Sequence, residues 1–188
     1  MKSLTILNAV VLATLIFSAC QPTKKQEDSS EIAKDQNDEI FEDRDDEKDA
    51  EFIVNAVAAN LAEINLAQLA QNKSTDMEVK QMAAMLETDH TKVLHSLTGY
   101  ANSKGISVPT TETNEAMKDK NDLAQMSGKD FDMKWCEQLQ KNHKKSIRKF
   151  ESRMNKTEDV VLKELLSSTL PGLRSHLEML QQHEARMK

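Results

Sequence analysis

The sequence predicts an all-α domain, an antiparallel four-helix bundle, from three observations. Apolar residues recur at three- and four-residue spacing almost without interruption from Asp49 onward. Ala, Leu, Met, Lys, Glu and Gln are abundant, while glycine occurs four times and proline three, so helix formers dominate and chain breakers are scarce. Start and stop signals divide the periodic run into four long segments of similar length, and short connections between such segments favour antiparallel neighbours.

The first 19 residues read as a signal peptide. Lys2 precedes an apolar run from Leu4 to Phe17, and Ser18-Ala19 then leads into Cys20. That order describes a cleaved export signal, and the run is shorter than the roughly 20 residues a membrane-spanning helix needs. The small-small-Cys step resembles a bacterial lipobox, which makes Cys20 the expected lipidation site and the membrane an expected partner. Several acyl chains at about 0.8 kcal/mol per buried methylene would hold the chain stably. The expected location is the cell envelope, at the outer membrane or its periplasmic face.

Residues 20–48 read as a disordered acidic tether. Residues 21–48 hold eleven acidic and five basic side chains, which accounts for the whole formal charge of −6. Ile32, Ile40 and Phe41 are their only sizeable apolar groups, too few to offset the entropy of ordering. The domain at 49–188 is close to neutral, which offers no broad footprint for nucleic acid. With Cys20 lipidated, Cys136 has no partner within the chain, so it is expected as a small buried core residue.

Within 49–188 the first long helix runs over about 49–73, with Ile53, Val57, Asn60, Ile64 and Ala67 on one stripe. Thr75 and Glu78 have the spacing of a capping box, which starts a second helix over 75–103. Gly105 is placed to end it in a left-handed conformation. A short extra helix over 114–126 lies in the connection to the third long helix, 128–155, which starts at Ser127-Gly128. Thr157 starts the fourth, 158–186, with a bend expected at Pro171.

Polar residues on the apolar stripes are the candidate site. His90 follows Leu86 and precedes Val93; His143 lies between Leu139 and Ile147; His176 lies between Leu173 and Leu180. Each sits near the middle of its helix, so an antiparallel bundle brings them to one level. Glu63 is at the inner edge of the first helix, and Glu87 stands three residues before His90. Imidazoles and carboxylates converging in a core suit a divalent transition metal. A di-iron site in a helical bundle takes two Glu-x-x-His pairs, whereas only Glu87-His90 is complete here. The same residues also suit a hydrogen-bonded polar layer that fixes helix register, with Glu63, Glu87 and Asp89 as acceptors. His95 and His183 fall outside the layer and are expected at the surface.

Asp49-Ala50-Glu51-Phe52, Glu63-Ile64-Asn65-Leu66, Asp89-His90-Thr91-Lys92, Ser127-Gly128, His143 and Leu170-Pro171-Gly172-Leu173 with His176-Leu177 together resemble the bacterial domain of unknown function family 4142. The resemblance spans nearly all of 49–188. It implies a ferritin-like bundle in the envelope, often labelled an outer membrane protein, and no established reaction. Members commonly carry an acid where this chain has Asn142 and a tyrosine where it has Trp135. The preferred expectation is a non-catalytic envelope lipoprotein that supports the surface or binds an envelope protein partner. The alternative is a metal-binding or metal-dependent redox protein using Glu63, Glu87, His90, His143 and His176. Nucleophilic catalysis has no support, since the chain lacks a Gly-x-Ser-x-Gly, a phosphate-cradling glycine loop and a Cys-x-x-Cys.

Overall fold

The computed structural model describes residues 27–41 and 44–187, and every regular element among them is a helix. The order is α1 Ser29–Asp38, α2 Arg44–Lys73, α3 Met77–Lys104, α4 Asn114–Ala124, α5 Gly128–Met154 and α6 Val160–Met187. The signal peptide and the lipidation site at Cys20 lie outside the described residues.

Two apolar clusters form the core. The first gathers Ile53 and Val57 of α2, Leu97 and Tyr100 of α3, Phe150 of α5, and Leu162, Leu166 and Leu173 of α6. The second gathers Leu66 and Ala70 of α2, Val79 and Leu86 of α3, Phe131, Trp135 and Leu139 of α5, and Leu180 of α6. The order of these residues fixes the direction of each helix. α2 and α6 pass from the first cluster to the second, and α3 and α5 pass the other way. α2 packs on α3 and α5 on α6 as hairpins, while α2 also meets α5 and α3 meets α6. Segment 105–127, which contains α4, therefore carries the chain back along the length of the molecule.

Burying a leucine or phenylalanine side chain contributes about 1.5–3 kcal/mol, so these two clusters supply the main driving force. Trp135 is fully buried, and its Nε1–H donates to Leu66 O at 2.9 Å, which satisfies the one polar atom of the ring. α2 alone is long and apolar enough, by length and composition among the described residues, to cross a membrane, but over half of its apolar window is buried within the protein.

The acidic tether expected over 20–48 is overturned over residues 28–41 and from 44 on. α1 occupies 29–38, and α2 begins five residues before Asp49, with Asp45, Asp46 and Glu47 favourably placed at its positive end. α1 docks mainly through polar bonds. The Asp28 carboxylate caps it by accepting Ser30 N–H and also accepts Asn114 N–H at 2.8 Å. The Asn37 side chain donates to Ser107 O at 2.9 Å and accepts Ser107 N–H at 2.8 Å. Ala33 is buried and Phe41 leans on the first cluster, while Glu31, Asp35 and Asp38 stay exposed. Bonds to loop backbone replace the apolar area that this segment lacks.

Three helix starts also differ in detail. Asp76, and not Thr75, caps α3, its carboxylate accepting Glu78 N–H and Val79 N–H. Ser74 in turn accepts Asp76 N–H. At α6 the Asp159 carboxylate accepts Leu162 N–H at 2.9 Å, and the Thr157 hydroxyl instead donates to the buried Asp49 at 2.7 Å. Ser127 precedes α5 but makes no side-chain cap bond. Gly105 ends α3 with φ +69°, as its spacing predicts. α6 continues unbroken through Pro171, which lies on its exposed side.

Candidate metal centre

Between the two apolar clusters lies a polar layer. α2 contributes Asn60 and Glu63, α3 His90, α5 His143 and α6 His176, and all five are buried. The same 3.6-residue period that builds the clusters places them there, since each lies one or two turns from cluster residues on its own helix.

The three imidazoles face one another. His90 Nε2 is 3.4 Å from His143 Nε2, and His143 Nε2 is 3.4 Å from His176 Nδ1. The ring centroids are 5.3, 5.4 and 5.5 Å apart, and one ligand atom from each ring falls within 4.8 Å of the others. A tetrahedral ion with metal–nitrogen bonds of about 2.0–2.1 Å separates its ligand atoms by about 3.3–3.4 Å. The two contacts between ring nitrogens have that spacing.

The outer nitrogen of each ring has an acceptor that fixes its tautomer. His143 Nδ1 lies 2.9 Å from Leu139 O, a carbonyl that only accepts. His176 Nε2 lies 3.3 Å from the Asp89 carboxylate. His90 Nδ1 lies 2.9 Å from Asn60 Oδ1, and the Asn60 amide is oriented because its NH2 donates to Ala56 O. Each outer nitrogen therefore carries the proton, and each inner nitrogen presents a lone pair.

Electrostatics keep the rings neutral. Burial holds His90 well below the ordinary imidazole value, helped by repulsion from His143 and His176. Burial pushes His143 down to about 4 against the raising effect of the Leu139 bond. Burial also lowers His176, opposed by Asp89. Burial pushes Glu63 up to about 8, despite a hydrogen bond from Asn142. Glu63 Oε2 and His143 Nδ1, 3.8 Å apart, are thus both uncharged at neutral pH and form no ion pair.

Of the five residues picked from sequence, three converge and a fourth adjoins them. Glu63 lies behind the His143 ring, beside Nδ1. Glu87 is a correction: its carboxylate accepts from Gln68 at 2.7 Å and Gln71 at 2.6 Å on α2, which holds it below the usual carboxylate range and away from the layer. Three residues before His90 lies about 60° round the helix, enough to turn Glu87 to Gln68 and Gln71 of α2. His183 is a second correction, since it is buried with Nδ1 3.2 Å from Glu78 Oε2; His95 is exposed as expected. The orienting role of Asn60 was not foreseen, although Asn60 stands on the apolar stripe four residues after Ala56. Cys136 is buried, and burial pushes its thiol up to about 12.

A family described as a domain of unknown function, DUF4142, matches residues 34–183. That span takes in α2 to α5 whole, half of α1, most of α6 and every member of the polar layer. No curated protein and no solved structure matches the chain.

Proposed function

The chain belongs to the DUF4142 family, whose description carries no activity, and we propose from the layer itself that the protein holds one divalent transition metal at His90, His143 and His176. The observation that carries this is the convergence of three lone pairs with no proton among them. Three acceptors, with His143 Nε2 3.4 Å from each of the other two, repel unless something electron-poor sits between them, and a metal ion is the simplest occupant. Ligand histidines characteristically donate their other ring N–H to a carbonyl, amide or carboxylate, as Leu139, Asn60 and Asp89 receive here. Neutral imidazoles suit zinc or copper, and three of them leave one coordination position for water or another small ligand.

We read the four long helices, with their alternating directions and the single crossover at 105–127, as a ferritin-like four-helix bundle. The three rings are at most 6% exposed. Such enclosure favours holding the ion over turning over a large substrate, in keeping with a non-catalytic role. The leader and Cys20 support placing this domain in the envelope as a lipoprotein, tethered to a membrane. Incorporation of a radioactive fatty acid by the wild type and not by Cys20→Ser tests that placement.

The metal reading is tested on the full chain, freed of metal with a chelator and titrated with Zn2+ and Cu2+. One equivalent should bind, and the protein should gain about 3 kcal/mol of stability at a hundredfold excess over Kd. The His90→Ala/His176→Ala double variant should lose both effects. Absence of binding and of any thermal shift with the wild type would sink the proposal.

A further inference from the structure

Resting on that metal reading, we propose that Glu63 is not a ligand but an outer acceptor that tunes the ion through His143. Its carboxyl is 5% exposed and takes a hydrogen bond from Asn142, yet Oε2 has no hydrogen-bond partner. A buried carboxyl oxygen left unsatisfied is uncommon and calls for a cause. This oxygen is 3.8 Å from His143 Nδ1, the ring nitrogen turned away from the other two imidazoles. The imidazole itself stands between Glu63 and the point where the three lone pairs meet, which removes the carboxyl from direct coordination. His143 Nδ1–H already donates to Leu139 O at 2.9 Å, so Glu63 is a second acceptor held in reserve. A metal on Nε2 draws electron density from the ring and makes Nδ1–H a stronger donor. Glu63 offers that stronger donor an additional acceptor beside the Leu139 carbonyl. His176 has the matching arrangement in Asp89 at 3.3 Å, on the more exposed side of the layer.

The test compares wild type, Glu63→Gln and Glu63→Met in the full chain, titrated with Co2+ and Zn2+ after removal of metal. Co2+ absorption reports the ligand set directly. The spectrum should keep its shape in both variants, while Kd weakens about tenfold for Gln and up to about a hundredfold for Met. The metal-free Met variant should nevertheless unfold at higher temperature than wild type, because a buried carboxyl has been replaced by an apolar side chain of similar size. Weaker binding combined with greater stability is a result that a merely structural Glu63 does not produce. A changed spectrum would make Glu63 a ligand, and an unchanged Kd would leave it without a role at the metal; either overturns the proposal. If the Met variant does not fold, the near-isosteric Gln variant carries the comparison. A wild type that takes up neither ion is a different failure, that of the metal reading itself.

Discussion

Without metal, Glu63 should destabilise the fold, by an amount that grows with pH. Its carboxyl titrates near 4.5 in an unfolded chain and at about 8 in the folded one. Between those values the unfolded state has released the proton while the folded state keeps it, so the unfolded state binds fewer protons. Stability therefore falls as pH rises. The window from pH 6.5 to 8 isolates the effect. There His143, at about 4 when folded and near 6.5 when unfolded, titrates alike in wild type and in Glu63→Gln and cancels from their difference. At about 1.36 kcal/mol per pH unit, levelling off as the folded carboxyl itself begins to ionise near 8, Glu63 costs about 1.6 kcal/mol across that window. Glu63→Gln removes the titration, so the variant should gain on wild type by that amount. Urea unfolding in chelator, followed by the fluorescence of the single, fully buried Trp135, measures both proteins at each pH. A stability difference that stays flat from pH 6.5 to 8 would refute the reasoning.

Two further outcomes are expected. Asn37→Ala deletes both bonds to Ser107 and should cost about 1–3 kcal/mol locally; amide exchange over residues 29–38 should accelerate while that of α3 is unchanged, and full protection of α1 would contradict polar docking. Cys136, buried with its thiol at about 12, should resist maleimide in a Cys20→Ser chain until urea unfolds it, and rapid labelling of the native protein would show that the site opens.

The long helices were legible because apolar spacing alone writes them: Ile53, Val57, Leu86, Leu97, Leu139 and Leu180 are each at most 1% exposed. The His90, His143 and His176 layer was legible for the same reason, as polar letters at apolar positions. His183 continues the run Leu173, His176, Leu180 by one more step of three, a signal that its place near the chain end obscured. α1 was not legible. Its partners Ser107, Thr111 and Asn114 lie about 70 to 86 residues away in the chain, and its single buried apolar side chain is an alanine. No local pattern reports a helix held by remote backbone groups. Glu87 misled because sequence spacing gives height along a helix more readily than the direction of a side chain.

A polar layer that only fixes helix register accounts for half of what is present. It explains the outer nitrogens, since Asn60, Leu139 and Asp89 receive three N–H groups and leave none unpaired. It does not explain the inner ones. Three neutral imidazoles carry three N–H groups in all, and the outer acceptors take every one. A layer built for register alone would place a donor, such as a serine or threonine hydroxyl, among the three remaining lone pairs. Here His143 crowds both His90 and His176 at 3.4 Å, with the imidazole pKa values lowered so that protonation does not supply the missing donor at neutral pH. The repulsion is balanced by the apolar clusters that clamp the layer from both sides, and a cation between the rings would relieve it. The folding energy of Ile53, Leu97, Phe131 and Trp135 thus preorganises three donors that would otherwise turn apart.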